Sequence, residues 1–192
     1  PPAASEVAIA VAAASMADTA LSVPQLLDGG RLDYLIFDYL AEGSMAIFGR
    51  MQAVDAAAGY GTEFLNVHIG PYLRAIAEQG VRVIANAGGV NPAGLAAALR
   101  AMIAEQGLNL TVAHIEGDDL RPQLFALRAA GVLDWESGAA LPYAVISANA
   151  YLGAFPIAAA LDAGADIVIT GRIVDSALAL GPLIHEFGWG VE

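Results

Sequence analysis

Two carboxylates one helical turn apart, Asp38 and Glu42, and one arginine directly after an apolar run, Arg172, have the types and spacing to do chemistry. A carboxylate pair moves protons when desolvation pushes its two pKa values apart; the plainer reading is a helix cap followed by a solvated first-turn acid. A guanidinium offers planar, often bidentate contacts to phosphate or carboxylate. In Thr170-Gly171-Arg172-Ile173-Val174-Asp175, Asp175 either orients Arg172, pairs with it locally, or caps the helix that follows. The run Val83 to Ala85 passes through Asn86 and the double glycine Gly88-Gly89 to Asn91-Pro92, a capped helix start. Such a turn lets a backbone approach an anionic ligand, or simply joins a strand tightly to a helix.

His114-Ile115-Glu116-Gly117-Asp118-Asp119 gathers one imidazole and three carboxylates, a set suited to a hard cation such as Mg²⁺. Residues alternating along a strand cannot all converge on one ion, and Asp118 or Asp119 serves equally well as a helix cap, so no metal ligand is assigned. His68 and His185 fall in helical segments and read as packed or surface residues. A dinucleotide fingerprint fails on spacing, because the glycines are Gly88, Gly89 and Gly94.

Alternating elements must position these groups. Strands are expected near 7–14, 33–38, 81–86, 109–115, 143–149 and 166–170, and helices near 43–58, 63–79, 92–106, 119–130, 153–163 and 175–186. Pro71 should kink or split the second helix; Asp175 and Gly188 should cap and stop the last. The pattern predicts an α/β domain with a mostly parallel sheet and helices on both faces, Rossmann-like and doubly wound. Asp38, Asn86, Asp119, Asn149, Tyr151 and Thr170 would then stand at the strands' C-terminal ends, facing one cleft.

The chain has 192 residues, 57% of them hydrophobic, and a net charge of −12. One domain is expected. The apolar runs are short, none near the roughly 20 residues that span a bilayer, and the charge repels nucleic acid and anionic lipid. There is no lysine and no cysteine, which removes Schiff-base chemistry, thiol nucleophiles and the Walker A lysine. Residues 7–14 are apolar but lack the basic flank of a signal peptide, so a cytoplasmic location is expected. The Pro-Pro start and the Gly-Val-Glu end read as cuts, making this the N-terminal part of a longer protein.

The motifs Asp38-Tyr39-Leu40-Ala41-Glu42, Asn86-Ala87-Gly88-Gly89 with Asn91-Pro92, Gly117-Asp118-Asp119-Leu120, Ala150-Tyr151-Leu152-Gly153-Ala154 and Thr170-Gly171-Arg172 through Asp175 occur in this order. Together they resemble the N-terminal domain of the acyclic terpene utilisation protein A family. Two positions depart from it: Ala14 to Asp18 replaces a glycine- and aromatic-rich turn, and Phe37 replaces a glycine. The resemblance implies a cytoplasmic protein encoded beside acyl-CoA catabolic enzymes, serving terpenoid or branched-chain acid breakdown. A small anionic substrate is expected, an acyl-CoA thioester or branched carboxylate, with its CoA moiety the only cofactor-like group. On this reading Asp38, Glu42 and Asp119 move protons in a hydratase, lyase or isomerase. Asn86, Gly88, Gly89, Asn91, Asn149, Tyr151, Thr170, Arg172 and Asp175 bind substrate. The alternative is a noncatalytic binding or scaffolding subunit; either fits a homo-oligomer or an acyl-CoA enzyme as partner.

Overall fold

The structure, a computed structural model, describes residues 6–191. Five short strands, β1 (Ile9–Ala13), β2 (Tyr34–Phe37), β3 (Arg82–Ala85), β4 (Val112–Ile115) and β5 (Ile167–Thr170), form one wholly parallel sheet in the order β1-β2-β3-β5-β4. All residues of β2 and β5 are buried, as they must be in a sheet covered on both faces. Alternation along the strands sends Leu35, Phe37, Val83, Ala85, Ile167 and Ile169 to one core and Tyr34, Ile36, Ile84 and Val168 to the other.

The strand order explains the two cores. From β1 through β4 the chain advances in one direction, and right-handed crossovers put the intervening helices on one face. These are α1 (Ser22–Asp28), α2 (Glu42–Val54), α3 (Leu73–Gln79) and α4 (Pro92–Glu105). The step from β4 back to β5 reverses that direction. It passes through α5 (Leu124–Ala129) and places α6 (Phe155–Asp162) on the opposite face, where α7 (Ala177–Phe187) joins it. The sheet is doubly wound, as the alternation of elements predicted. The chains leaving β3 and β5 part to opposite faces, which opens a crevice at their C-terminal ends.

Local chemistry sets most boundaries. Asn91 caps α4 by accepting the Gly94 N–H at 2.9 Å, with Pro92 at the first position, and Gly188 ends α7 in the left-handed conformation. Pro71 splits its helix into a π-helical turn (Phe64–Ile69), a 3₁₀ turn (Gly70–Tyr72) and α3.

Two expectations need correction, and one element was missed. Residues 143–149 form no strand: β4 is already the sheet edge, and this segment pairs only briefly with the loop beyond it, through one antiparallel bridge between Asp119 and Asn149. Asp175 does not cap α7, which starts after Ser176 without a side-chain cap, because its carboxylate turns to Arg172. Helix α1 was not foreseen; its seven residues are too few to display a helical period.

Helices α6 and α7 meet through Gly181, where an added Cβ would lie 2.5 Å from the Ile157 side chain. Gly181→Val should destabilise the protein by about 1–3 kcal/mol, the scale of overpacking a core, read as a lower urea midpoint. An unchanged midpoint would show that this contact is not tight.

Candidate functional site

The C-terminal edge of the sheet collects the polar ends of four strands and ties them to one another. After β3, the buried Asn86 donates from Nδ2 to Asp38 Oδ1 at 2.7 Å and accepts the Tyr39 N–H on Oδ1 at 2.5 Å. After β5, the backbone N–H of Arg172 donates to Asp118 Oδ2 at 2.8 Å, and Asn149 Nδ2 donates to the same oxygen at 2.8 Å. Gly171 must lack a side chain, since a Cβ there would sit 2.5 Å from that carboxylate. Thr170 is fully buried and spends its hydroxyl on the Gly171 carbonyl at 2.9 Å.

Arg172 is only 5% exposed. Its Nη1 donates to the Leu40 carbonyl in the loop after β2, while Nη2 lies 3.4 Å from Asp175 and 3.9 Å from Glu42. The Tyr151 ring covers the guanidinium at 4.2 Å, within the range of a cation–π contact. The Tyr151 hydroxyl donates to Glu42 Oε1 at 2.6 Å. One cation is thus shared between two carboxylates, a carbonyl and an aromatic face. Glu42, Tyr151, Arg172 and Asn149 line a cavity of about 240 Å³ with Met45 and Ser147. No motif or spacing singles out those last two: Met45 reads as a core position of α2, and Ser147 lies in an expected strand.

The two carboxylates of the Asp38–Glu42 pair are driven apart. Burial raises Asp38 above the ordinary carboxylate range, with Asp175 adding to the effect and the Asn86 hydrogen bond opposing it. Glu42 is lowered by the Tyr151 hydrogen bond first, then by a backbone N–H and the charge of Arg172. Asp118, buried beneath Arg172, is raised by desolvation against the hydrogen bonds it accepts. Burial acts to raise Asp119 too, but side-chain and backbone hydrogen bonds from Arg121 outweigh it and hold the carboxyl low.

The remaining expected site residues lie apart from this cavity. The amides of Gly88, Gly89 and Asn91 are committed to the carbonyls of Thr170, Asn86 and Gly88, at 3.1, 3.4 and 2.9 Å. The amides of the double glycine are therefore not free for an anion. Gly89 has φ +57°, and a Cβ there would meet the Gly59 carbonyl at 2.5 Å and Phe48 at 2.7 Å, so close backbone packing accounts for the glycine. Asn91 is spent on its cap and on the carbonyls of Ala57 and Ala58. Asp119 pairs with Arg121 at 2.8 Å and, with Asn91, Asp118 and Asn149, borders a neighbouring recess of about 270 Å³. His114 faces Glu116 at 3.7 Å, and among the described residues no group of three His, Asp or Glu side chains is arranged to hold a metal. His68 is buried and bonded through Nδ1 to the Tyr39 hydroxyl; His185 bonds Asp162 of α6 at 2.5 Å.

A protein-family model described as acyclic terpene utilisation family protein AtuA matches residues 7–192. The chain belongs to this family. The match implies involvement in acyclic terpene utilisation and spans all the strand ends just described. No curated protein and no solved structure gives a match. Among the described residues no helix is long and apolar enough to cross a membrane.

Asp38 supplies a test with a definite sign. Because burial raises its folded-state pKa, the folded state holds a proton more tightly than the unfolded chain, and the ionised carboxylate costs stability once pH exceeds the unfolded value of about 4. Asp38→Asn removes that cost and keeps an oxygen for Asn86. Its melting midpoint should exceed that of the native protein at neutral pH, and the gap should close as pH falls below about 4. A variant less stable than the native protein at neutral pH would mean that ionised Asp38 supports the fold.

Proposed function

We propose that this domain catalyses proton transfer next to the carbonyl of an acyl thioester, as a hydratase, lyase or isomerase. The observation that carries this reading is the divergence of two carboxyl groups four residues apart: the proton affinity of Glu42 is lowered by Tyr151 and Arg172, and that of Asp38 is raised by burial. Groups separated in this way divide into a base and an acid. Glu42, on the cavity wall, removes a proton from the carbon beside the carbonyl. The field of the Arg172 guanidinium favours the enolate charge that develops, and the Tyr151 hydroxyl can turn from Glu42 to the enolate oxygen as Glu42 becomes neutral. Asp38 carries the proton returned at the γ-carbon of a dienolate in isomerisation, or delivered to a departing β-hydroxyl in dehydration. Asn86, with its amide oxygen and nitrogen both engaged by protein groups, holds Asp38 in place.

Electrostatics chooses between the two expected substrates. Arg172 already faces Asp175 and Glu42, and Asp38 stands nearby, so a further full negative charge beside it would be repelled. A thioester presents a neutral carbonyl. The CoA form is accordingly favoured over a free carboxylate at the reacting end, with the phosphates of CoA outside the cavity. Proton transfer of this kind needs no metal and no redox group. Breakdown of terpenoid or branched-chain acyl groups, on an intracellular CoA thioester, is the metabolic setting that supports this reading best.

A second reading, a binding or scaffolding subunit, is favoured by the segment between β4 and α6. It exposes Phe125 (84%), Trp135 (94%) and Tyr143 (94%), apolar side chains suited to association with a second copy or an acyl-CoA enzyme.

The enzyme reading is tested on Tyr151 and Glu42, both exposed enough to change without disturbing a core. Glu42→Gln should lower kcat by about 10²–10⁴, the usual contribution of a positioned base. Tyr151→Phe frees Glu42 from the hydrogen bond that lowers it, so the acidic limb of the pH–kcat/KM profile should move to higher pH. Mass spectrometry against a panel of acyl-CoA thioesters supplies the activity. Full turnover by Glu42→Gln would remove the base from this mechanism, and the absence of any turnover would favour the scaffold.

A further inference from the structure

A second cavity, of about 330 Å³, opens on the other side of the strap that runs from Tyr39 to the first turn of α2. Met16 on the turn after β1 and Tyr39, Leu40, Gly43 and Ile47 contribute to its walls, which are chiefly apolar. The strap is shared by the two cavities. Leu40 lines the apolar cavity and offers its carbonyl to Arg172, while Glu42 and Met45 line the polar one. It is fixed at both ends, because the Tyr39 N–H donates to Asn86 and the Ser44 hydroxyl donates to the Tyr39 carbonyl at 3.1 Å. Its crest, Ala41-Glu42-Gly43, is exposed, and two of the three residues there are among the smallest side chains available. A chain attached to a carbonyl beside Glu42 can cross this crest without meeting bulk.

We propose that the apolar cavity takes the hydrocarbon tail of the substrate whose carbonyl sits at Glu42, Tyr151 and Arg172. This inference rests on the acyl-thioester reading above and deepens it: the substrate is a medium or long acyl thioester, not a short polar one. Continuity across the strap argues for this occupant, since the same backbone segment positions the reacting groups and walls the apolar cavity. Size agrees, the volume falling in the range of about 300–1,000 Å³ usual for small-molecule sites.

Gly43 gives a clean variant. It lines the cavity, and a Cβ at this position meets no atom within 4 Å. Gly43→Leu therefore fills the cavity entrance, and as a better helix former leucine should raise the melting midpoint. Gly43→Ala keeps the space open. The probes are neutral S-acyl-N-acetylcysteamine thioesters from butanoyl to decanoyl, titrated calorimetrically. Native protein and Gly43→Ala should gain about fourfold in affinity per added methylene until the cavity is filled, from the free energy of burying a CH₂ group. In Gly43→Leu the gain should be lost for the longer chains while butanoyl binding is retained. Tyr151→Phe should weaken every length alike. A flat series with measurable binding would overturn the tail cavity and leave the carbonyl site standing. A rise with length that survives Gly43→Leu would overturn the choice of this cavity. Failure of every thioester to bind the native protein would overturn the carbonyl site itself.

Discussion

The guanidinium of Arg172 is the buried positive charge on which the C-terminal edge of the sheet is organised. A charge taken out of water is tolerated only when paired and hydrogen-bonded, because desolvation costs several kcal/mol per ion. Here the compensation comes from three separate parts of the chain: the Leu40 carbonyl and Glu42 after β2, Asp175 after β5, and Tyr151 from the segment before α6. Binding those parts to one cation fixes the loop after β2 against the loop after β5, although β3 lies between the two strands. Asp118 secures the same residue from below by accepting its backbone N–H.

From that arrangement the chemistry of the site follows by subtraction. Arg172 is too well neutralised to act as an open anion receptor, so its effect is felt through the groups it touches. Glu42 is exposed and lies near the cation, and it stays ionised; Asp38 is half-buried, nearer to Asp175, and its charge is penalised. Two carboxyl groups four residues apart thereby acquire different proton affinities because one stands at the end of a buried strand and the other on the first turn of a helix. The reversal of the sheet supplies the location: wherever adjacent strands send their chains to opposite faces, backbone moves aside and side chains from several strand ends can meet.

Much of this was legible in the sequence. Short apolar runs alternating with helical periods implied a parallel sheet covered on both faces, and Arg172 stood out as the arginine that directly follows such a run. The Asn91-Pro92 cap and the break at Pro71 were fixed by local chemistry, which is why they could be read without tertiary context. Where reading failed, two physical causes share one signal. A glycine pair serves close backbone packing as well as ligand approach, and Gly89 is explained by Gly59 and Phe48. An aspartate before a helix serves as a cap or as an ion-pair partner, and only the position of Arg172 decides for Asp175. Residues 143–149 have strand-like composition, but whether a strand forms depends on an available neighbour, which no local pattern reveals. Strand order, and with it the location of the crevice, depends equally on contacts distant in sequence.

The wall of the cavity opposite α2 is built on a different principle from the rest. Between Asp119 and Gly153 no residue is buried, yet this segment supplies Ser147, Asn149 and Tyr151 to the site. Its attachments are largely polar or backbone ones: the Asn149 side chain and the Ala150 N–H on Asp118, the Arg121 guanidinium on Gln52 of α2, backbone bonds that pair Leu152 with the chain after β5, and Ile146 seated where Gly49 leaves room on α2. Segments with so little buried apolar surface have the lowest local opening free energy in a protein. The elements that carry Glu42, Asp38 and Arg172 are thus built on two hydrophobic cores, while the aromatic cover of Arg172 and the hydroxyl that tunes Glu42 belong to a segment held largely by polar and backbone contacts. A change in that segment therefore alters the proton affinity of Glu42, through the Tyr151 hydrogen bond, without passing through either core.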